Sequence, residues 1–346
     1  MHRIILTVPL LVTLSAACVE PEATVATDPA FAQPCPKLWG CGENSPMMGP
    51  FHFHELNTAG LPNDENVRLL NLQIGVNYYQ PKIVNNSRLV AYDPVGGGTL
   101  SGAALTGGHL NLATPDGNYR ITIKKVSPQA SSFTVFWVGP ATPIETYEMT
   151  YTKIGLTEPV PLCDNPPERI SGEGPTRMWV RRFETILFSG DRYDADSKDI
   201  IATTPLQAGN WFNLACAGTS IAKLYLTRHT FASSLSTHPS SWGRRQAMLR
   251  MYVSDVCGTG RPFTEKGTPL HWQNVSGWST FDGTEYAHES LWSPDGAICL
   301  DTHRRFDQFL TDIKDECGGA LPPPCPSWLP SGATYVSSAV PFAPPP

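Results

Sequence analysis

The sequence predicts an α+β fold: a β-rich N-terminal lobe followed by a disulfide-stapled α+β lobe. Three observations point there. Residues 56–160 hold period-two apolar stretches between turn clusters, the pattern of half-buried strands. Helical spacing of apolar residues appears only beyond Cys163. Eight cysteines lie between Cys35 and Cys325, an even number that fits a disulfide framework in an oxidising compartment.

Residues 1–17 read as a secretory leader. A basic start, Met1-His2-Arg3, precedes an apolar run over residues 4–14 and the small residues Ser15-Ala16-Ala17. The run is too short to cross a hydrocarbon layer of roughly 30 Å as a helix. Cys18 after the small residues resembles the lipobox of bacterial lipoproteins, although Ser15 stands where that family usually has leucine. The resemblance implies acylation of Cys18 as the mature N-terminus. Val19, not aspartate, follows it, which in that family favours the outer membrane. Residues 18–55 form a tether and cysteine-bearing lead-in, with Pro, Ala, Thr and acidic residues of no period over 19–34.

The β-rich lobe spans residues 56–160. Leu69-Leu70-Asn71-Leu72-Gln73-Ile74, Tyr119-Arg120-Ile121-Thr122-Ile123-Lys124 and Phe133-Thr134-Val135-Phe136-Trp137-Val138 are its expected strands. Turns at Gly96-Gly97-Gly98, Gly107-Gly108 and Pro115-Asp116-Gly117 separate such runs. Proline-bearing residues 157–161 read as a linker. In the α+β lobe, residues 161–318, a strand is expected over 179–188 and a polar turn over 190–199. Residues 213–229 read as a helix capped by Asn213, with Leu214, Ala217, Ile221, Leu224 and Tyr225 on its apolar face. Residues 242–256 read as a second helix, ended by Gly258. Residues 292–300 read as a hairpin turning on Pro294-Asp295-Gly296. Phe306, Phe309, Leu310 and Ile313 keep helical spacing up to Gly318-Gly319. Residues 319–346 are proline-rich and read as an extended tail without strand or helix.

The disulfide candidates are Cys35, Cys41, Cys163, Cys216, Cys257, Cys299, Cys317 and Cys325. Eight cysteines allow 105 pairings. Cys35 with Cys41 and Cys317 with Cys325 are the short-range choices, each pair flanking a turn. No Cys-x2-Cys occurs, so no structural zinc site is expected, and neither a metal nor a cofactor is implied. A formal charge of -6 without long runs argues against nucleic acid as a partner.

Three constellations could carry chemistry. Cys216, in the first turn of the helix expected at 213–229, could be a nucleophile whose thiolate the helix N-terminus favours. His229, His271 or His288 would be its base and Asp255 the orienting group. His229 lies thirteen residues along the same helix, about 20 Å away, which weakens that pair. The simpler reading joins Cys216 and Cys257 in a bridge between two packed helices. Asp191, Asp194, Asp196 and Asp199 place four carboxylates in nine residues, yet without the spacing of a calcium loop, so a solvated turn is the plainer reading. His52-Phe53-His54-Glu55 would put two imidazoles on one strand face, without a further ligand.

Several spaced motifs occur in a fixed order: Ala215-Cys216-Ala217-Gly218, Ala222-Lys223, Arg245-Gln246-Ala247, Asp255, Cys257-Gly258, Gly260, Phe263-Thr264, Gly267-Thr268 and Trp292-Ser293-Pro294-Asp295-Gly296-Ala297-Ile298-Cys299. Over roughly residues 163–300 the chain resembles the ADYC-domain family, named for an Ala-Asp-Tyr-Cys motif. Ser254 and Val256 replace the Ala and Tyr of that motif. The resemblance implies a secreted or lipid-anchored bacterial protein of the kind seen in myxobacteria, and implies no activity. The favoured expectation is a non-enzymatic envelope module, binding a protein or a glycan through aromatics such as Trp272 and Trp278. A Cys216 thiol enzyme and a calcium-stabilised adhesin are the alternatives.

Overall fold

A computed structural model describes residues 47–48, 51–52, 55–85, 87–127, 145–163, 184–194, 197–201, 210–216, 219–226, 242–263, 270–274, 287–301, 307–326 and 335–339. Strands β1 (Met47–Met48) and β2 (Phe51–His52) pair with each other. There follow β3 (Glu55–Asn57), β4 (Arg68–Ile74), β5 (Asn77–Val84), β6 (Arg88–Tyr92), β7 (Thr99–Ser101), a 3-10 turn (Gly102–Leu105), β8 (His109–Thr114), β9 (Gly117–Ser127), β10 (Thr146–Lys153) and β11 (Val160–Pro161). Beyond Cys163 come β12 (Glu184–Ser189), the paired β13 (Arg192–Tyr193) and β14 (Ile200–Ile201), and β15 (Trp211–Cys216). A short helix (Ser220–Leu226) and a long helix (Trp242–Val253) precede β16 (Leu270–Asn274), β17 (Ala287–Ser293) and β18 (Gly296–Leu300). A C-terminal helix (Asp307–Glu316) and β19 (Tyr335–Ala339) complete the described elements.

One sheet of eleven strands organises the molecule, in the order β3-β15-β12-β10-β9-β8-β4-β5-β6-β7, with β11 on β10. The alternation seen in the sequence is realised across it. Leu72, Leu110, Ile121 and Tyr151 stand opposite one another and face inward. Asn71, Asn111, Arg120 and Thr152 form the next row on the other face. The sheet folds over its own core: the Leu89 N–H of β6 donates to Tyr147 Oη of β10 at 2.9 Å.

Strands β12 and β15 differ from the rest because both of their faces are covered. Leu187, Phe212 and Leu214 belong to the core under the sheet. Ile186, Phe188 and Ala215 belong to a second core, shared with the short and long helices, Trp292 and Ile313. A strand buried on both faces loses its alternation, and Trp211–Cys216 is buried throughout and apolar but for Asn213, whose side-chain amide donates to the Asp191 carbonyl at 3.0 Å.

That run explains the main correction. The helix expected over 213–229 is a strand to Cys216, and helix begins only at Ser220. A short buried run that is apolar but for Asn213 fits a buried helix as well as a buried strand. Residues 157–161 do not separate two lobes within the sheet, since β11 pairs with β10 and the sheet continues through β12 and β15. The tail expected to lack structure contains β19, formed by the proline-free Tyr-Val-Ser-Ser-Ala between Pro330 and Pro341. The long helix, the hairpin β17–β18 and the C-terminal helix stand where expected. The strand expected over 133–138 lies outside the described residues.

Among the described residues three disulfides are formed: Cys163–Cys216, Cys257–Cys317 and Cys299–Cys325. Cys216 and Cys257 are bridged, but not to each other, because the first ends β15 in the sheet and the second follows the long helix. Cys317 and Cys325 likewise reach back to Cys257 and Cys299 instead of pairing locally. Cys35 and Cys41 lie outside the described residues. The bridges belong to an oxidising environment. Among the described residues no helix is long and apolar enough to cross a membrane.

Candidate functional site

The long helix gathers three segments that are far apart in sequence. Trp242, Gln246 and Arg250 recur every four residues and so share one side, with Arg245 beside them. This stripe receives residues 197–200, which lead into β14, and Asp191 before β13. Trp242 Nε1 donates to the Ile200 carbonyl at 2.9 Å. Gln246 accepts the Ile200 N–H at 2.6 Å and donates to the Lys198 carbonyl at 3.2 Å. Arg245 meets Asp191 as a two-point fork, at 2.5 and 2.8 Å, with both side chains almost wholly buried.

Arg250 is the hub. Its Nη1 donates to the Ser197 carbonyl at 2.7 Å and to Asp255, its Nη2 donates to Asp199, and its Nε reaches the Pro294 carbonyl at 3.3 Å. One guanidinium therefore ties residues 197–199, the turn after the helix and the β17–β18 hairpin. Asp255 is 0 % exposed and also accepts the Thr259 N–H at 3.1 Å and the Gly260 N–H at 2.8 Å. Burial pushes its carboxyl up from the ordinary range, against the pull of Arg250 and the two amides.

The backbone at this junction leaves little room. Ser254 exits the helix left-handed, at φ 54°. A Cβ on Gly258 would stand 2.2 Å from the Asp295 carbonyl oxygen, and one on Gly296 would stand 2.6 Å from the Val256 carbonyl oxygen. The Ala297 N–H donates to the Val256 carbonyl at 2.9 Å across the same contact. The Asp-x-Cys-Gly turn and the Pro-Asp-Gly hairpin are thus two halves of one interlocked turn pair.

Chemically, the arrangement positions chain segments, with its charged side chains paired to one another and to backbone groups. Asp255, the orienting group of the cysteine-enzyme reading, is occupied by Arg250 and two amides. Cys216 ends a strand and is bridged to Cys163, so it has no helix N-terminus and no thiol. His229 lies outside the described residues, while His271 stands in β16 and His288 in β17. Of the acidic run, Asp191 is buried and pairs with Arg245, Asp199 pairs with Arg250 from a half-exposed position, and Asp194 accepts the Ser197 N–H at 2.7 Å, while Asp196 lies outside the described residues. Among the described residues no cluster of His, Cys, Asp and Glu could hold a metal ion. Glu55, grouped in sequence with His52 and His54, is buried and pairs with Arg192 at 2.6 Å. That arginine stacks 4.1 Å from the Trp211 ring. Trp272 stands in β16, and Trp278 lies outside the described residues.

Sequence reasoning quoted Arg245, Gln246 and Asp255 but gave Arg250 no part. The available signal was the four-residue spacing of Gln246 and Arg250 in the second half of a helix whose remaining positions there are apolar. The fold and this junction define a mostly β, disulfide-stapled protein with a small helical layer locked by buried ion pairs. The ADYC domain matches residues 102–306, more than half of the chain, and the chain belongs to that family. No curated protein and no solved structure matches it. The match opens at the 3-10 turn, well before Cys163, and so takes in β8–β10. That extent fits the sheet, because β12 joins β15 on one side to β10 on the other, and β10 continues into β9 and β8.

Proposed function

We propose that the chain is an exported envelope protein, held by a lipid on Cys18, whose ADYC domain acts as a non-enzymatic binding or structural module. The carrying observation is the fate of the best catalytic candidate: Cys216 is in a disulfide with Cys163 and Asp255 is tied to Arg250. The leader pattern of residues 1–17, the small residues before Cys18 and the tether over 19–34 support display on a membrane surface, and Val19 favours the outer membrane. The ligand is a protein or a glycan. No observation favours the cysteine-enzyme or the calcium-adhesin reading.

The test is Cys18→Ala in the native host, followed by membrane fractionation and fatty-acid labelling. The reading requires label on the wild type and a soluble variant. An unlabelled wild type and a variant that still sediments with membranes would refute the anchor.

A further inference from the structure

The four-stranded sheet runs β16-β19-β17-β18, so the second of its strands comes from the far end of the chain. β19 pairs antiparallel with β16, from Leu270 opposite Ala339 to Asn274 opposite Tyr335. Its other edge pairs antiparallel with β17, from Ala287 opposite Ala339 to Trp292 opposite Tyr335. β16 and β17 are therefore parallel to each other and two strand spacings apart, roughly 9–10 Å. Taking β19 away would leave two rows of backbone N–H and C=O groups facing across a gap one extended segment wide. Such edges are strand templates.

Two further observations mark β19 as a separable part. The family match ends at residue 306, so the C-terminal helix, Cys317, Cys325 and β19 all lie beyond it. The chain beyond the match is stapled back twice, through Cys257–Cys317 and Cys299–Cys325. Cys299 sits on β18, within the same sheet, so the second bridge keeps Cys325 near the gap and raises the local concentration of β19.

We infer that the cleft between β16 and β17 is a strand-acceptor site. This chain's own C-terminal strand fills it, and the same strand from a second copy can take its place when that strand is displaced. Recognition is by main-chain hydrogen bonds to both edges, which selects an extended, proline-free segment of about five residues entering antiparallel. The inference does not depend on the lipid anchor or on the absence of catalysis.

The experiment uses the full chain with a protease site inserted between Cys325 and Tyr335, cut after folding with the disulfides intact. The probe is a fluorescein-labelled peptide of residues 331–341. Either the cut strand stays with the body through gel filtration, or the labelled peptide replaces it. Where it is replaced, the peptide binds at least tenfold more tightly than its Ser337→Pro version, which removes a central donor. Uncut protein takes up neither peptide. Loss of the cut strand with no uptake, equal binding of the two peptides, or equal uptake by uncut protein would overturn the inference.

Discussion

Replacing Arg250 by alanine is the sharpest probe of the interlocked junction. The variant removes the partner of Asp255, which is 0 % exposed, and of Asp199, whose side chain is 48 % exposed. Asp199 can rehydrate, so its share is about 0–1 kcal/mol. Asp255 cannot, although the Thr259 and Gly260 amides still hold it. Breaking a buried pair from one side costs about 3–5 kcal/mol, and those two amides place Asp255 near the lower end. The Ser197 and Pro294 carbonyls each lose a donor, at about 1 kcal/mol apiece. The expected loss is therefore about 5–6 kcal/mol, read as a lower urea midpoint at unchanged slope with the disulfides intact. In the thermal scan it is a fall of roughly 10 °C or more. Arg250→Lys should fall between the two, because an ammonium cannot reach four acceptors in one plane. The double variant Arg250→Leu with Asp255→Asn should lose less than the two single losses added together. Stability within about 0.5 kcal/mol of wild type for Arg250→Ala would show that the hub does not hold the junction, and would refute the reasoning.

Alkylation of the native protein without reduction should modify none of Cys163, Cys216, Cys257, Cys299, Cys317 and Cys325, as peptide mass spectrometry would reveal. Replacing Cys163 and Cys216 together by serine should cost about 2–5 kcal/mol in chemical denaturation. Gly258→Ala meets both a backbone oxygen at 2.2 Å and a left-handed φ of 69°, and should destabilise by about 1–3 kcal/mol or more in the same assay. Alkaline stability should fall as pH rises from about 10 to about 12. Burial and the Asp116 hydrogen bond push the Tyr119 hydroxyl up to about 12, so the unfolded chain loses this proton first. Tyr119→Phe should flatten that part of the stability–pH curve.

What the sequence made legible follows from where each element sits. Strands with one face inward, such as β4 and β9, alternate and could be read directly. The long helix and the β17–β18 hairpin carry local stop and turn signals that tertiary contacts do not override. The Trp211–Cys216 strand was illegible because burial on two faces erases alternation. Asp191 and Asp199 looked like turn residues because their arginine partners lie some fifty residues away on another element. Disulfide partners were illegible for a related reason. Cys257 and Cys317 approach only once the C-terminal helix docks, and no spacing rule encodes that.

The pairing of β3 with β15, with Leu56 opposite Phe212, also sets an order of assembly. A chain emerging from its N-terminus can pair β4 with β5, β5 with β6 and β8 with β9 as each hairpin appears, since these contacts are local. β3 must wait, unpaired, until residue 216 is available, and the Cys163–Cys216 bridge waits with it. The small sheet waits longer still, for residue 339. The two larger sheets are thus each finished by a pairing distant in sequence, β3 with β15 in one and β19 with β16 and β17 in the other. Interrupted synthesis would leave open edges at both places, where unfinished chains can cross-pair, so yield should depend on completing the C-terminus more than its proline-rich composition suggests.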